Sequence, residues 1–333
     1  MQSSKRLRVF LSAETYQRLG PRINDAASPF EVEPVFASLQ GHPKDVAADI
    51  AFISRDITGM STKHEIAESL QRFYDGLHQS PHLRWVHIHS AGIDRPVVAE
   101  LASRGVRVTA SAGANAEVVA QTVLAGILGL ARHFPKLQEA QRLHSWAPLI
   151  KTGLPRDMKG QTAIIVGWGH IGRRIGAMLQ FLGLAIAVVR SSSTSVDGVS
   201  ETAAFEQLNE IVPSADWLVL ACPLSERTRK LVDSRTFSRM RKSAYIINVS
   251  RGEVVAQEDM ISALKDRTIA GAYLDVFEHE PLNAASALWE MPNVIITPHT
   301  AGHSDGNEAR VDELFLHNLR QFCNEHLNAT RDS

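Results

Sequence analysis

A chain of 333 residues exceeds what one ordinary hydrophobic core organises and suits two domains. With 44% hydrophobic residues, 21% charged residues and a formal net charge of −1, it reads as globular, with no bulk attraction to nucleic acid or an anionic membrane. Its two cysteines, Cys222 and Cys323, are too few for a disulfide framework and suit a reducing cytoplasm.

The N-terminus, MQSSKRLRVFLSA, lacks the apolar core of a signal peptide and enters a strand-like run. The first third offers strands at LRVFLS (7–12), FEVEPVF (30–36), IAFIS (50–54), LRWVHIHS (83–90) and VRVTAS (106–111). They alternate with helical patterns, the signature of parallel sheets with crossover helices. His78, His82, His87 and His89 invite a metal reading, but no cysteine or acidic partner sits at ligand spacing. No metal site is expected there, and the histidines read as structural or pocket-edge residues.

NAEVVAQTVLAGILGLARHF (115–134) follows, helical in composition and apolar on nearly every side. Its most apolar part, 118–131, falls short of the roughly 20 residues that span a bilayer. Gly126 and Gly129 would admit a close neighbour, so the helix reads as joining two domains or meeting a partner subunit.

A second set of strands begins at TAIIVGWGHIG (162–172) and continues through AIAVV (185–189), WLVLAC (217–222), AYIINV (244–249), AGAYLDV (270–276) and NVIITPH (293–299). SSSTSVDG (191–198) is the most loop-like stretch, and NEARVDELFLHNLRQFCNEHL (307–327) has helical spacing and is expected to fold back on the first domain.

GWGHIG, with an apolar strand before it and helical spacing after it, predicts a dinucleotide-binding turn. Gly167 permits the tight turn, Gly169 lets a pyrophosphate approach the backbone, and Gly172 lets the helix pack on the strand. The helix N-terminus then offers free N–H groups to the phosphates. The strand after that helix usually ends in an acidic residue that holds the ribose 2′-hydroxyl of NAD. Here it ends in Arg190, followed by Ser191, Ser192 and Ser193. A guanidinium pairs with a 2′-phosphate through charge-assisted hydrogen bonds, so NADP(H) is favoured, with NAD(H) still possible. The alternative is a solvated arginine that opens a loop.

Ligands of an open parallel sheet sit beyond the carboxyl ends of its strands. There the later strands place Ser250-Arg251-Gly252, then Asp275 and Glu280-Pro281, then His299. Reduction of a 2-keto acid needs an anchored carboxylate, a polarised carbonyl and a delivered proton. Arg251 suits the first two and His299 the third, with Glu280 favouring the imidazolium.

These segments resemble the D-isomer-specific 2-hydroxyacid dehydrogenases, on NVSRGEVV (248–255), GAYLDVFEHEPL (271–282), ITPHTAG (296–302), GWGHIG and HSAGID (89–94). Within that family the glyoxylate/hydroxypyruvate reductases are the nearest branch by Arg190-Ser191 and by HSWAPL (144–149). The resemblance implies an α/β fold of two Rossmann-like domains with doubly wound parallel sheets. A flavodoxin-like substrate domain, 1–112 plus 302–333, would receive an inserted NAD(P)-binding domain, 113–301. It also implies a homodimer that reduces small 2-keto acids such as glyoxylate and hydroxypyruvate.

By the same resemblance Arg251, Glu280 and His299 form the catalytic set, and Asp275 holds the nicotinamide amide. His170 and Ile171 meet the pyrophosphate, Cys222-Pro223 lie along the adenosine, Val249-Ser250 line the nicotinamide, and Gly302 completes the cofactor loop. Backbone N–H groups of Ala91 and Gly92 hold the substrate carboxylate. Trp146 is either a wall of the partner's pocket or an interface anchor. Departures from the family pattern are Gln121 in the long helix, and Ala256 with Glu258 after NVSRGEVV. Two other readings stay open: a non-catalytic dinucleotide-sensing relative, and a dehydrogenase for a larger 2-keto acid of the phenylpyruvate type.

Overall fold

The computed structural model describes residues 6–36, 46–61, 65–93, 95–151 and 153–329; Asp94 of HSAGID lies outside them. The chain divides into two compact units, Met1–Asn115 with Ser304–Ser333, and Ala116–His303.

The first unit runs β1 (Arg6–Leu11), α1 (Ala13–Ala27), β2 (Glu31–Phe36), β3 (Ile50–Ile53), α2 (Arg55–Thr58), α3 (Glu68–His78), β4 (Trp85–Ile88), α4 (Pro96–Ser103) and β5 (Arg107–Ala110). All five strands are parallel, in the order β2-β1-β3-β4-β5. IAFI and WVHI are buried at every position, as strands covered on both faces must be. Pro34 sits in β2 because that strand is an edge, where a missing N–H breaks no ladder.

Ser12 caps α1 by accepting the Thr15 N–H at 3.0 Å. Phe10 stacks on Phe73 of α3 with ring centroids 4.0 Å apart.

The second unit runs α5 (Ala116–Ala131), α6 (Phe134–Arg142), β6 (Thr162–Val166), α7 (His170–Phe181), β7 (Ala185–Arg190), β8 (Glu201–Ala204), α8 (Leu208–Ile211), β9 (Trp217–Leu220), α9 (Ser234–Arg239), β10 (Tyr245–Asn248), α10 (Gln257–Lys265), β11 (Gly271–Leu274) and β12 (Val294–Ile296). The last helix, α11 (Asn307–Ala329), belongs to the first unit. Its Phe315 stacks on Phe52 of β3 at 4.2 Å, and Val311, Phe315, Leu319 and Phe322 bury one face, as the helical spacing predicts.

The seven strands of the second unit are all parallel, in the order β12-β11-β10-β9-β6-β7-β8. The chain runs outward from β6 to β8, then returns beside β6 and runs the other way. The order reverses between β6 and β9, where doubly wound sheets bind their ligands.

Three differences from the sequence reading have plain physical causes. The helical pattern over 115–134 ends at Ala131, because His133 turns to a left-handed φ of 59° and Pro135 lies in the first turn of the next helix, bent 68° from the first. Gly126 and Gly129 admit a neighbour from the same unit: a Cβ at Gly126 would stand 2.7 Å from the Tyr273 ring of β11. β8, ETAA, carries no alternating apolar signal and is recruited by pairing with β7. No single helix among the described residues is long and apolar enough to cross a membrane.

Candidate active site

Gly167 leaves β6 with φ 99°, and a Cβ there would stand 2.6 Å from the Ala221 carbonyl oxygen. A Cβ on Gly172 would fall onto the Gly167 carbonyl. At Gly169 a Cβ would meet nothing within 4 Å, so open space borders the turn where α7 begins. These are the three requirements of a phosphate-binding turn: a tight bend, close helix packing and an approachable backbone. His170 and Ile171 open α7, whose first N–H groups lack helical partners. Arg190 closes β7, and its guanidinium makes no ion pair or hydrogen bond among the described residues. Cys222 and Pro223 follow β9; burial pushes the Cys222 thiol up to about 12, which makes it a packing group.

After β10 the chain is held by Asn248. Its Oδ1 accepts the Ser250 N–H at 3.0 Å and the Ser250 hydroxyl at 2.8 Å, while its Nδ2 donates to the Arg251 carbonyl at 3.1 Å. Val249 and Ser250 are buried. Arg251 Nη1 donates to the Ser250 carbonyl at 2.7 Å. Gly252 is required because the Phe277–Glu278 peptide occupies the place a Cβ would take.

Beyond β11 and β12 the Asp275 carboxylate organises the chain. It is 2% exposed. Its Oδ1 accepts the Thr297 hydroxyl at 2.6 Å and the Thr300 and Ala301 N–H groups at 2.8 and 3.1 Å. Thr297 gives its proton to the carboxylate, so the Tyr273 hydroxyl donates to Thr297, at 2.8 Å. Burial pushes Tyr273 up to about 12, which keeps that donor protonated. His299, inside this bracket, has a left-handed φ of 53° and donates its N–H to the Asp275 carbonyl at 2.8 Å. An L-residue in that conformation is held by its surroundings, a frequent feature of functional sites.

His299 Nδ1 lies 2.7 Å from Glu280 Oε2, with the two side chains 51% and 16% exposed. Glu280 Oε1 accepts the Phe277 N–H at 3.1 Å. Burial works against the Glu280 charge, but the His299 hydrogen bond and charge, the Phe277 amide and the Arg251 charge together hold it below the usual carboxylate range. Three strand ends therefore bring Arg251, Glu280 and His299 into mutual reach. Asn248, Thr297 and Tyr273, absent from the sequence reading, fix them in place; only the NVSRG and ITPH spacing hinted at the first two.

Ala91 and Gly92 follow β4 in the first unit, where the Ser90 hydroxyl donates to the Gly92 carbonyl at 3.0 Å. Trp146 follows α6 and is 97% exposed. Gly302 comes directly after the Ala301 amide that Asp275 binds. Among the described residues no group of three or more His, Cys, Asp or Glu is placed to hold a metal ion.

The profile of the D-isomer specific 2-hydroxyacid dehydrogenase NAD binding domain matches residues 124–301. A glyoxylate reductase of Korarchaeum cryptofilum is 32% identical over 251 residues, covering 73% of this chain and 74% of that protein. A D-isomer specific 2-hydroxyacid dehydrogenase from Xanthobacter autotrophicus Py2, solved in complex with NADPH and MES, gives a TM-score of 0.74 at 27% identity, covering 96% of this chain and 95% of the other. An NADPH-dependent glyoxylate/hydroxypyruvate reductase from Sinorhizobium meliloti, solved with NADP and malonate, gives 0.70 at 26%, covering 95% and 93%. The chain belongs to the D-isomer specific 2-hydroxyacid dehydrogenases, a family of NAD(P)-dependent oxidoreductases.

Proposed function

We propose that the protein is an NADPH-preferring reductase of small 2-keto acids, with glyoxylate and hydroxypyruvate as substrates. The observation that carries the reaction type is the His299–Glu280 pair at 2.7 Å beside Arg251. The reduced nicotinamide, when bound, supplies hydride to the carbonyl carbon. Arg251 holds the substrate carboxylate and draws electron density toward the carbonyl oxygen. His299 gives the proton from Nε2 as the alkoxide forms, and Glu280 steadies the charged ring through Nδ1. In the oxidative direction the neutral ring takes that proton back.

The residues present fit a dinucleotide. Gly169 borders open space at the start of α7, and Arg190 has no partner among the described residues. Gly167, His170, Ile171 and Gly172 would cradle the pyrophosphate, Arg190 with Ser191 and Ser192 the 2′-phosphate, and Cys222-Pro223 the adenosine. Val249, Ser250 and Gly302 would line the nicotinamide, with Asp275 on its amide. Roles for Ala91 and Gly92 as carboxylate donors rest on the HSAGID pattern. Small substrates are favoured by the named activities of the Korarchaeum and Sinorhizobium proteins. A homodimer is favoured by the exposed Phe134, Leu143, Trp146, Ile150 and Phe181 of the second unit. Two buried, unpaired thiols favour a reducing compartment such as the cytoplasm.

The test is initial-rate loss of reduced-nicotinamide absorbance, with NADPH and NADH in parallel, on glyoxylate, hydroxypyruvate, pyruvate and phenylpyruvate. NADPH-preferring turnover of the first two is expected. Tight dinucleotide binding without turnover of any would overturn the reading in favour of a sensor.

A further inference from the structure

We propose that Arg227 is a positioning residue that presets the loop after Arg190 to receive a ribose 2′-phosphate, an inference that rests on the NADPH preference proposed above. Arg227 lies beyond β9, yet its guanidinium ties together two other segments. Nε and Nη2 donate to the two carboxylate oxygens of Glu206 at 2.9 and 3.0 Å. Nη1 and Nη2 both donate to the Ser191 carbonyl at 3.1 Å. The guanidinium carbon also stands 5.3 Å from the centroid of the Phe205 ring.

An exposed arginine–carboxylate pair by itself contributes little. This one engages most of a planar fork and spends half of it on a single backbone carbonyl. Because the peptide is trans and planar, pinning the Ser191 carbonyl also fixes the Ser192 N–H, which points the opposite way. No acceptor meets the Ser192 N–H among the described residues. The brace therefore holds a spare backbone donor two residues from the unpartnered Arg190 guanidinium. A guanidinium and a fixed amide on one short loop suit a dianionic phosphate monoester. Glu206 neutralises Arg227, so its contribution is orientation of the loop more than added charge.

The experiment measures binding of 2′,5′-ADP and 5′-AMP by calorimetry for the wild type, Arg190→Ala, Arg227→Met and Arg227→Lys. KM and kcat with NADPH and NADH on glyoxylate accompany it. Arg227→Met should weaken 2′,5′-ADP by about tenfold, the loss of a charge-assisted contact, and leave 5′-AMP within about twofold. KM for NADPH should rise in step, with kcat and the NADH constants moving far less. Arg227→Lys keeps the charge without the fork and should behave like Arg227→Met. Full rescue by lysine, or equal weakening of both nucleotides, would overturn the positioning role. If Arg190→Ala abolishes the 2′-phosphate preference and Arg227→Met retains it, this inference alone fails. If the wild type shows no such preference, the NADPH reading fails and takes this one with it.

Discussion

His299 Nδ1 and Glu280 Oε2 are 2.7 Å apart, and this contact decides which nitrogen of the ring does chemistry. An ionised carboxylate only accepts hydrogen bonds, so Nδ1 must donate. Nε2 is then left to give or take the proton of the reaction. Glu280 is itself kept ionised by His299, the Phe277 amide and Arg251, against the opposing effect of its burial. The pair thus sets the tautomer of the ring.

His299→Asn should lower kcat for glyoxylate reduction by about a thousandfold, within the usual worth of a general acid. A fluorescence titration should show NADPH binding little changed. Turnover near the wild-type rate would mean that another group supplies the proton. Glu280→Gln keeps an acceptor and removes the charge. Its kcat for glyoxylate reduction should be lower, with NADPH binding little changed. An unchanged kcat would remove Glu280 from the proton-transfer argument.

Arg190→Asp should weaken NADPH use by about a hundredfold, since a lost cation and an added anion act together on the same phosphate. NADH use should be spared or improved, because a carboxylate at this strand end can accept from the ribose 2′-hydroxyl. The ratio of kcat/KM for the two cofactors reads this directly. An unchanged ratio would place the 2′-position of the ribose elsewhere.

The convergence of Arg251, Glu280 and His299 was legible because each lies at or a few residues beyond the end of a strand-like run, and the ends of parallel strands gather at one edge of a sheet. The glycine turn was legible for the same reason, since strand, bend and helix are contiguous in sequence. The bracket formed by Thr297 and Tyr273 was not, because its contacts join residues 22 and 24 positions apart whose types are ordinary strand residues; Asn248 acts locally, on Ser250 and Arg251, and its buried amide looked like one more strand position. β8 was missed because ETAA forms a strand by pairing with β7 and not by its own pattern. The break after Ala131 had a visible signal in Pro135, which the strong apolar run before it outweighed.

Neither cysteine should behave as a nucleophile. Burial pushes Cys222 up to about 12 and Cys323 up to about 11, the nearby Arg84 charge opposing the second shift. The thiolate is the reactive form, so a native sample at mild alkaline pH should leave both unmodified by a disulfide reagent. Both should react once guanidinium unfolds the chain. Rapid modification of native Cys222 would mean that the segment after β9 opens readily.

The first unit carries its own pH dependence, in His87 on β4 and His89 just beyond that strand. Ser111 Oγ donates to the Ile88 carbonyl at 3.0 Å, so its remaining role toward His87 is to accept from Nε2, at 3.1 Å. Thr109 Oγ1 accepts from Trp85 Nε1 at 2.8 Å and gives its proton to His87 Nδ1 at 2.8 Å. The neutral ring is therefore satisfied on both nitrogens, and a second ring proton would meet a donor. Burial, reinforced by His89, lowers His87 to about 3. Burial, then the charges of Arg55 and Arg95, lowers His89 to about 4 despite the opposing Ile53 carbonyl and Asp56. Both start from an ordinary value of 6.5. In the window between 6.5 and these folded values the unfolded chain binds protons that the folded chain refuses. Stability must then fall as pH drops through that window, each histidine adding up to about 1.4 kcal/mol per pH unit. Urea melts from neutral pH downward should show the slope. His87→Gln removes one titrating group, so its stability should depend less steeply on pH, whatever its absolute stability. A slope equal to that of the wild type would mean that His87 takes up its proton in the folded protein.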